Sequence, residues 1–105
     1  MRKLREMKMN EERSLYKRVT ASAIIRSGAG VLRMVNIAGT DTAATAGSVE
    51  IYDGIDATGT LLHTEFIAAA ALPNRPIDFD DVAVSTGIYV KIITSADVAV
   101  GVAYL

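Results

Sequence analysis

The sequence contains a single histidine, His63, in the run Leu62-His63-Thr64-Glu65. On a β-strand, residues two apart share a face, so His63 and Glu65 can pair. Such a pair can move protons, but a nucleophile would have to come from ordinary Ser or Thr residues. No Gly-x-Ser-x-Gly elbow is present. The pair is expected to be a surface histidine facing a carboxylate. Cysteine is absent, which removes disulfides, thiolate nucleophiles and Cys/His zinc sites together.

Three further groupings invite a chemical reading. Asp53-Gly54-Ile55-Asp56 with Thr58 offers oxygen ligands, yet it lacks the spaced acids and terminal Glu of a calcium loop. Asp-Gly between two strands makes a hairpin turn without any metal. Asp78, Asp80 and Asp81 crowd negative charge, with Asp78 and Asp80 on one strand face; Arg75 and a partner's basic arm are the expected neutralisers. Gly28-Ala29-Gly30 lacks the third glycine and following helix of a dinucleotide loop, and reads as a hairpin turn. No catalytic residue, cofactor or metal is expected, and the chain is read as non-enzymatic.

The elements that carry these residues are strands. Val49 and Ile51 alternate with Glu50 and Tyr52, and Ile77 and Phe79 with Asp78 and Asp80. Ile88, Val90 and Ile92 alternate with Tyr89, Lys91 and Ile93. Strands are expected at Val19–Arg26, Val31–Ala38, Ser48–Asp53, Thr60–Ile67, Pro76–Val82, Gly87–Thr94 and Val98–Leu105. Glycine, Asp and Ser clusters punctuate them. Phe66 and Phe79 are expected inside, and Tyr52 and Tyr89 on outward faces. The Thr40–Thr45 segment reads as a polar loop, and Ile67–Leu72 as either a helical turn bridging the sheets or a slim interface strand. The fold expected is all-β: a sandwich or jelly roll of seven to eight strands in residues 19–105.

The chain has 105 residues, half of them hydrophobic, and a net charge of −1. That composition excludes disorder as the main state, and no run approaches the ~20 apolar residues of a membrane span. The small net charge hides an asymmetry. Residues 1–18 hold Arg2, Lys3, Arg5, Lys8, Arg13, Lys17 and Arg18 against three glutamates, for +4, and the remainder carries −5. The segment leads into Glu11, Glu12 and Arg13 where a signal peptide would be apolar. Its propensity is helical, and residues 1–18 read either as a solvated, frayed terminus or as a docking arm reaching about 27 Å as helix or up to about 60 Å extended. Its cations suit an anionic or apolar protein neighbour. Phosphate binding is the weaker reading, since the body is acidic and Tyr16 is the arm's sole aromatic.

On the last strand, Ala99, Gly101, Ala103 and Leu105 line the face opposite Val98, Val100 and Val102. Small, uncharged residues there fit a central strand covered by its own chain, or a face packed closely on another subunit. These four are the candidate oligomer interface.

The stretch from Gly47 through Ile51-Tyr52-Asp53-Gly54 to Thr60-Leu61-Leu62, then Pro76-Ile77-Asp78-Phe79 and Thr86-Gly87-Ile88-Tyr89-Val90-Lys91-Ile92, carries a resemblance. Over roughly residues 25–105, with its closing Val98–Tyr104 strand, the body resembles small β-sandwich structural proteins of tailed bacteriophages, of the head decoration (cement) and head-fibre type. The resemblance implies a virion protein that forms a homo-oligomer, a trimer first among the symmetries. It also implies docking on the major capsid protein or another virion protein, with no membrane partner. A carbohydrate- or ligand-binding β-sandwich module is the alternative, with Tyr52 and Tyr89 as its contacts.

Overall fold

The computed structural model describes residues 14–39, 47–67, 75–93 and 98–105. Eight strands account for most of them: β1 (Leu15–Val19), β2 (Ala23–Ser27), β3 (Gly30–Gly39), β4 (Gly47–Asp53), β5 (Thr60–Ile67), β6 (Arg75–Val84), β7 (Gly87–Ile93) and β8 (Val98–Tyr104). They form two antiparallel four-stranded sheets, ordered β1-β8-β3-β6 and β2-β7-β4-β5. The fold is a β-sandwich. Successive strands lie in opposite sheets, except β4 and β5, which form a hairpin within the second sheet.

Alternation explains the core. Val35, Ile37, Val98, Val100 and Val102 from the first sheet meet Ile25, Val49, Ile51, Ile88 and Val90 from the second in one buried cluster. β-Branched residues dominate it, as suits side chains standing on a pleated surface. Buried Val, Ile and Leu side chains each contribute about 1.5–3 kcal/mol when withdrawn from water. That layer is what fixes the two outer faces in space.

Three local features depart from the expected strands. The segment expected as one strand, Val19–Arg26, is broken: β1 ends at Val19 in the first sheet and β2 begins at Ala23 in the second. At the step, the Ser22 hydroxyl accepts the Ile92 N–H at 2.9 Å, supplying a partner to a backbone donor beyond the end of the β2–β7 register. Leu15–Arg18, read from propensity as part of a helical arm, is strand, pairing with Gly101–Tyr104. A full ladder of backbone hydrogen bonds outweighs propensity differences of a few tenths of a kcal/mol per residue. The sandwich therefore takes in four residues of the basic segment, while residues 1–13 lie outside the described residues, as do Thr40–Thr45 and Ala68–Leu72.

The third departure is in β6. Between Asp78 and Val82 its register against β3 shifts, with three β6 residues lying opposite Arg33. Asp80 and Asp81 both adopt left-handed φ, 55° and 60°. Aspartate tolerates that region because its carboxylate can bond locally, and the Asp78 Oδ1 accepts the Asp80 N–H at 2.8 Å. Pro76 sits on this strand without breaking a ladder on both sides, because β6 is an edge.

At one end of the sandwich three turns meet. Gly87 has no room for a side chain: a β-carbon there would stand 2.5 Å from the Arg26 carbonyl oxygen and 2.8 Å from that of Gly54. The Gly54 N–H donates to the Gly87 carbonyl at 3.1 Å, and the Gly28 N–H to Thr86 at 2.8 Å. Gly28-Ala29 turns the chain, with Gly28 at φ +97°, but it is a crossing between the sheets and not the expected hairpin, since β2 and β3 lie in opposite sheets.

Candidate interaction surfaces

The outer face of the second sheet is built by register. Ile24 on β2 lies opposite Tyr89 on β7, Tyr89 opposite Tyr52 on β4, and Tyr52 opposite Leu61 on β5, so the four form one row across the sheet. Below it runs a polar row, Lys91–Glu50–Thr64, and below that Ile93–Ser48–Phe66. Ile24, Leu61, Ile93 and Phe66 are all exposed. A solvated sheet face ordinarily carries polar residues at such positions. Here two apolar rows flank a single cation and a single carboxylate.

The two tyrosines organise the middle of this face. Their rings lie 6.2 Å apart and tilted by 49°, within the range where aromatic pairs attract. The Tyr52 hydroxyl donates to Glu50 Oε1 at 2.6 Å. That carboxylate hydrogen bond, then loss of water contact, then the charge of Glu50 and the neighbouring Tyr89 hold the Tyr52 phenol above its ordinary pKa. Tyr52 points outward, as expected, yet only 9% of it is exposed.

Phe66 corrects an expectation: it is 76% exposed rather than internal. The cause is a bulge. The β4–β5 register shifts between Ile51 and Tyr52, leaving Leu62 as the extra residue. A bulge reverses which alternate set faces inward, so Leu62 packs on the core while Thr64 and Phe66 turn outward. The same shift turns His63 and Glu65 toward the gap between sheets. His63 Nε2 and Glu65 Oε1 are 3.0 Å apart, and the His63 ring meets the Phe79 ring edge-on at 5.6 Å. The pairing was legible; its surface location was not. Phe79 itself packs against the core, as expected.

On the first sheet, β8 is a central strand between β1 and β3. Ala99 and Gly101 are buried within the single chain, while Ala103 and Leu105 are half-buried. Tyr16 covers Gly101: a β-carbon there would fall 2.6 Å from Tyr16 Cζ. Cover from the chain's own neighbouring strand thus accounts for the glycine. Leu105 exchanges two backbone hydrogen bonds with Val31, at 2.9 and 3.0 Å. Tyr16 and Met34, on either side of Ala103 in register, are exposed apolar residues of this face.

Of the seven cations assigned to the arm, Lys17 and Arg18 are described, and both are on β1. Lys17 Nζ donates to the Ile24 carbonyl of β2 at 3.3 Å, tying the two sheets at one edge. Arg18 lies opposite Gly101 and is exposed. Arg2, Lys3, Arg5, Lys8 and Arg13 lie outside the described residues.

The acidic groups are engaged locally. Asp53 accepts backbone N–H groups from Ser85 (3.0 Å), Thr86 (2.9 Å) and Gly87 (3.3 Å), plus the Ser85 hydroxyl at 3.3 Å. The Ser85 and Thr86 donors hold its carboxyl below the usual range. Asp56 accepts the Thr58 N–H at 2.9 Å and the Thr58 hydroxyl, and both lower its pKa. Asp81 pairs with Arg33, Nε to Oδ1 at 2.9 Å, while Arg33 Nη1 donates to Ser14 Oγ at 3.2 Å. Arg33, a cation not among the expected neutralisers, therefore pairs with the acidic cluster. Among the described residues no group of three or more His, Cys, Asp or Glu side chains could hold a metal ion.

Compared with known proteins, the chain matches no family model, and no curated protein matches it in sequence.

Proposed function

We propose that this chain is a non-enzymatic virion structural protein, a capsid decoration or cement subunit built on an eight-stranded jelly roll. The nested pairing carries the reading. β1 pairs with β8, β2 with β7, β3 with β6 and β4 with β5, the connectivity of one long hairpin rolled into two sheets, an architecture found among viral capsid proteins and lectins. Fold alone does not choose among those roles. The outer faces favour assembly: Tyr16 and Met34 on one sheet and Ile24, Leu61, Ile93 and Phe66 on the other are exposed apolar groups on extended sheet surfaces, the kind of surface that marks protein contacts.

In this reading the sandwich forms a symmetric homo-oligomer, and residues 1–13 dock by their cations on the shell. The arm deletion that tests this must stop at Arg13, since β1 begins at Leu15. Removing residues 1–13 is expected to abolish co-sedimentation with capsids assembled without this protein, while the thermal melt stays unchanged. Full co-sedimentation of the truncated chain would overturn the docking role.

The carbohydrate- or ligand-binding alternative rests on the Tyr52–Tyr89 pair. Tyr52 is nearly covered, which leaves Tyr89 as the ring available to a sugar. Glycan binding that disappears in Tyr89→Ala, together with no capsid binding by the full chain, would put the alternative in its place.

A further inference from the structure

We infer that the outer face of the second sheet pairs with the same face of a second copy about a two-fold axis running along the strands between β4 and β7. This rests on the assembly reading above and names the surface that performs it. The strand order β2-β7-β4-β5 is symmetric about that axis. A two-fold placed there lays β7 over β4 of the other copy and β2 over β5, with rows kept level. Ile24 then faces Leu61, Tyr89 faces Tyr52, and Lys91 faces Glu50, each contact occurring twice. An isologous interface needs this self-complementarity.

The charges decide for a second copy over an unrelated partner. Lys91 and Glu50 are neighbours in register, yet no salt bridge joins them among the described residues. Glu50 instead accepts the Tyr52 hydroxyl. A partner with one carboxylate and one cation at these spacings satisfies both, and the chain's own face is such a partner. Strand spacing of about 4.8 Å and a rise of about 3.4 Å per residue give this face roughly 450 Å² in projection. That falls short of the roughly 800 Å² per partner of a standard interface, so the dimer is weak, with dissociation constants in the micromolar range expected. Aligned packing of two twisted sheets, with mean strand directions about 30° apart, is compatible with the same axis.

The test uses the full chain and a charge-swapped pair. By sedimentation equilibrium the native protein is expected to dimerise. Lys91→Glu puts two carboxylates opposite each other twice, and Glu50→Lys does the same with cations; each is expected to weaken self-association about tenfold or more. Mixing the two variants brings unlike charges together and is expected to restore the dimer. Circular dichroism reports whether each variant folds. If Glu50→Lys does not, Leu61→Lys replaces it and must also yield monomer.

A native protein that stays monomeric at 100-fold above micromolar concentration overturns the proposal. So does a trimer, or a dimer indifferent to either swap. Capsid co-sedimentation of the same variants separates the two readings. Monomers that still bind shells overturn this interface and leave the virion role intact, whereas intact dimers that never bind shells overturn the role and leave the interface.

Discussion

The side chain of Tyr16 on β1 lies over Gly101 on β8, close enough that a β-carbon at the glycine would stand 2.6 Å from the tyrosine Cζ. The two residues are diagonal neighbours, since Tyr16 is in register with Ala103 and Arg18 with Gly101. A glycine inside a strand ordinarily weakens it. Here it provides the depth in which an edge-strand tyrosine, 59% exposed, lies down on the sheet.

Gly101→Ala is therefore expected to lower stability by about 1 kcal/mol by lifting the Tyr16 ring, even though alanine suits a strand better than glycine. In a Tyr16→Ala background the same change should become neutral or stabilising. Urea unfolding of the two single variants and the double variant gives the coupling directly. Additive effects would mean that the ring does not rest on the glycine.

Asp53 is held by three successive backbone N–H groups from the turn between β6 and β7. Asp53→Ala should cost roughly 1–2 kcal/mol by leaving those donors to solvent alone. Because the folded carboxyl titrates below its unfolded value, its stabilisation is complete above the unfolded pKa of about 4. It is lost as pH falls from there through the folded value. Chemical denaturation between pH 6 and pH 2 should accordingly show a shallower decline for Asp53→Asn than for the native chain.

Asp80 occupies the left-handed region at φ 55°. Asp80→Gly is expected to leave stability within about 0.5 kcal/mol, whereas Asp80→Val should cost roughly 1–2 kcal/mol, the penalty of forcing a β-branched residue there. Thermal melts of the two variants, compared side by side, check the kink in β6 independently of the Arg33–Asp81 ion pair.

Strands were legible wherever side-chain phase ran unbroken. Val49 and Ile51, and Ile88 and Val90, alternate without interruption, and all four are buried in the core. Phase was lost at bulges. Leu62 is one extra residue in β5, and nothing in Leu61-Leu62-His63 distinguishes a bulge from regular strand; that single residue sent Phe66 outward and His63 inward. The acidic run of β6 hides another, since Asp78 and Asp80 share a face only if the backbone stays extended. The step between sheets at Thr20-Ala21-Ser22 has neither Gly nor Pro to mark it. Of the candidate surfaces, the outward Tyr52 and Tyr89 could be read from alternation. Their alignment with Ile24 and Leu61 could not, because register between strands distant in sequence depends on bulges and turns.

The nested pairing also orders events in time. The β4–β5 hairpin closes over a six-residue connection, Gly54 to Gly59, between the paired Asp53 and Thr60, whereas β1 meets β8 only after some eighty residues have been brought together. Loop-closure entropy separates the two steps by about 2 kcal/mol, so zippering outward from the hairpin is the cheaper route, and β1 joins late. A chain dominated by such distant partners belongs among the slow folders, on the scale of milliseconds to seconds. Substitutions in β1, Tyr16 among them, should then hasten unfolding while barely changing the rate of refolding.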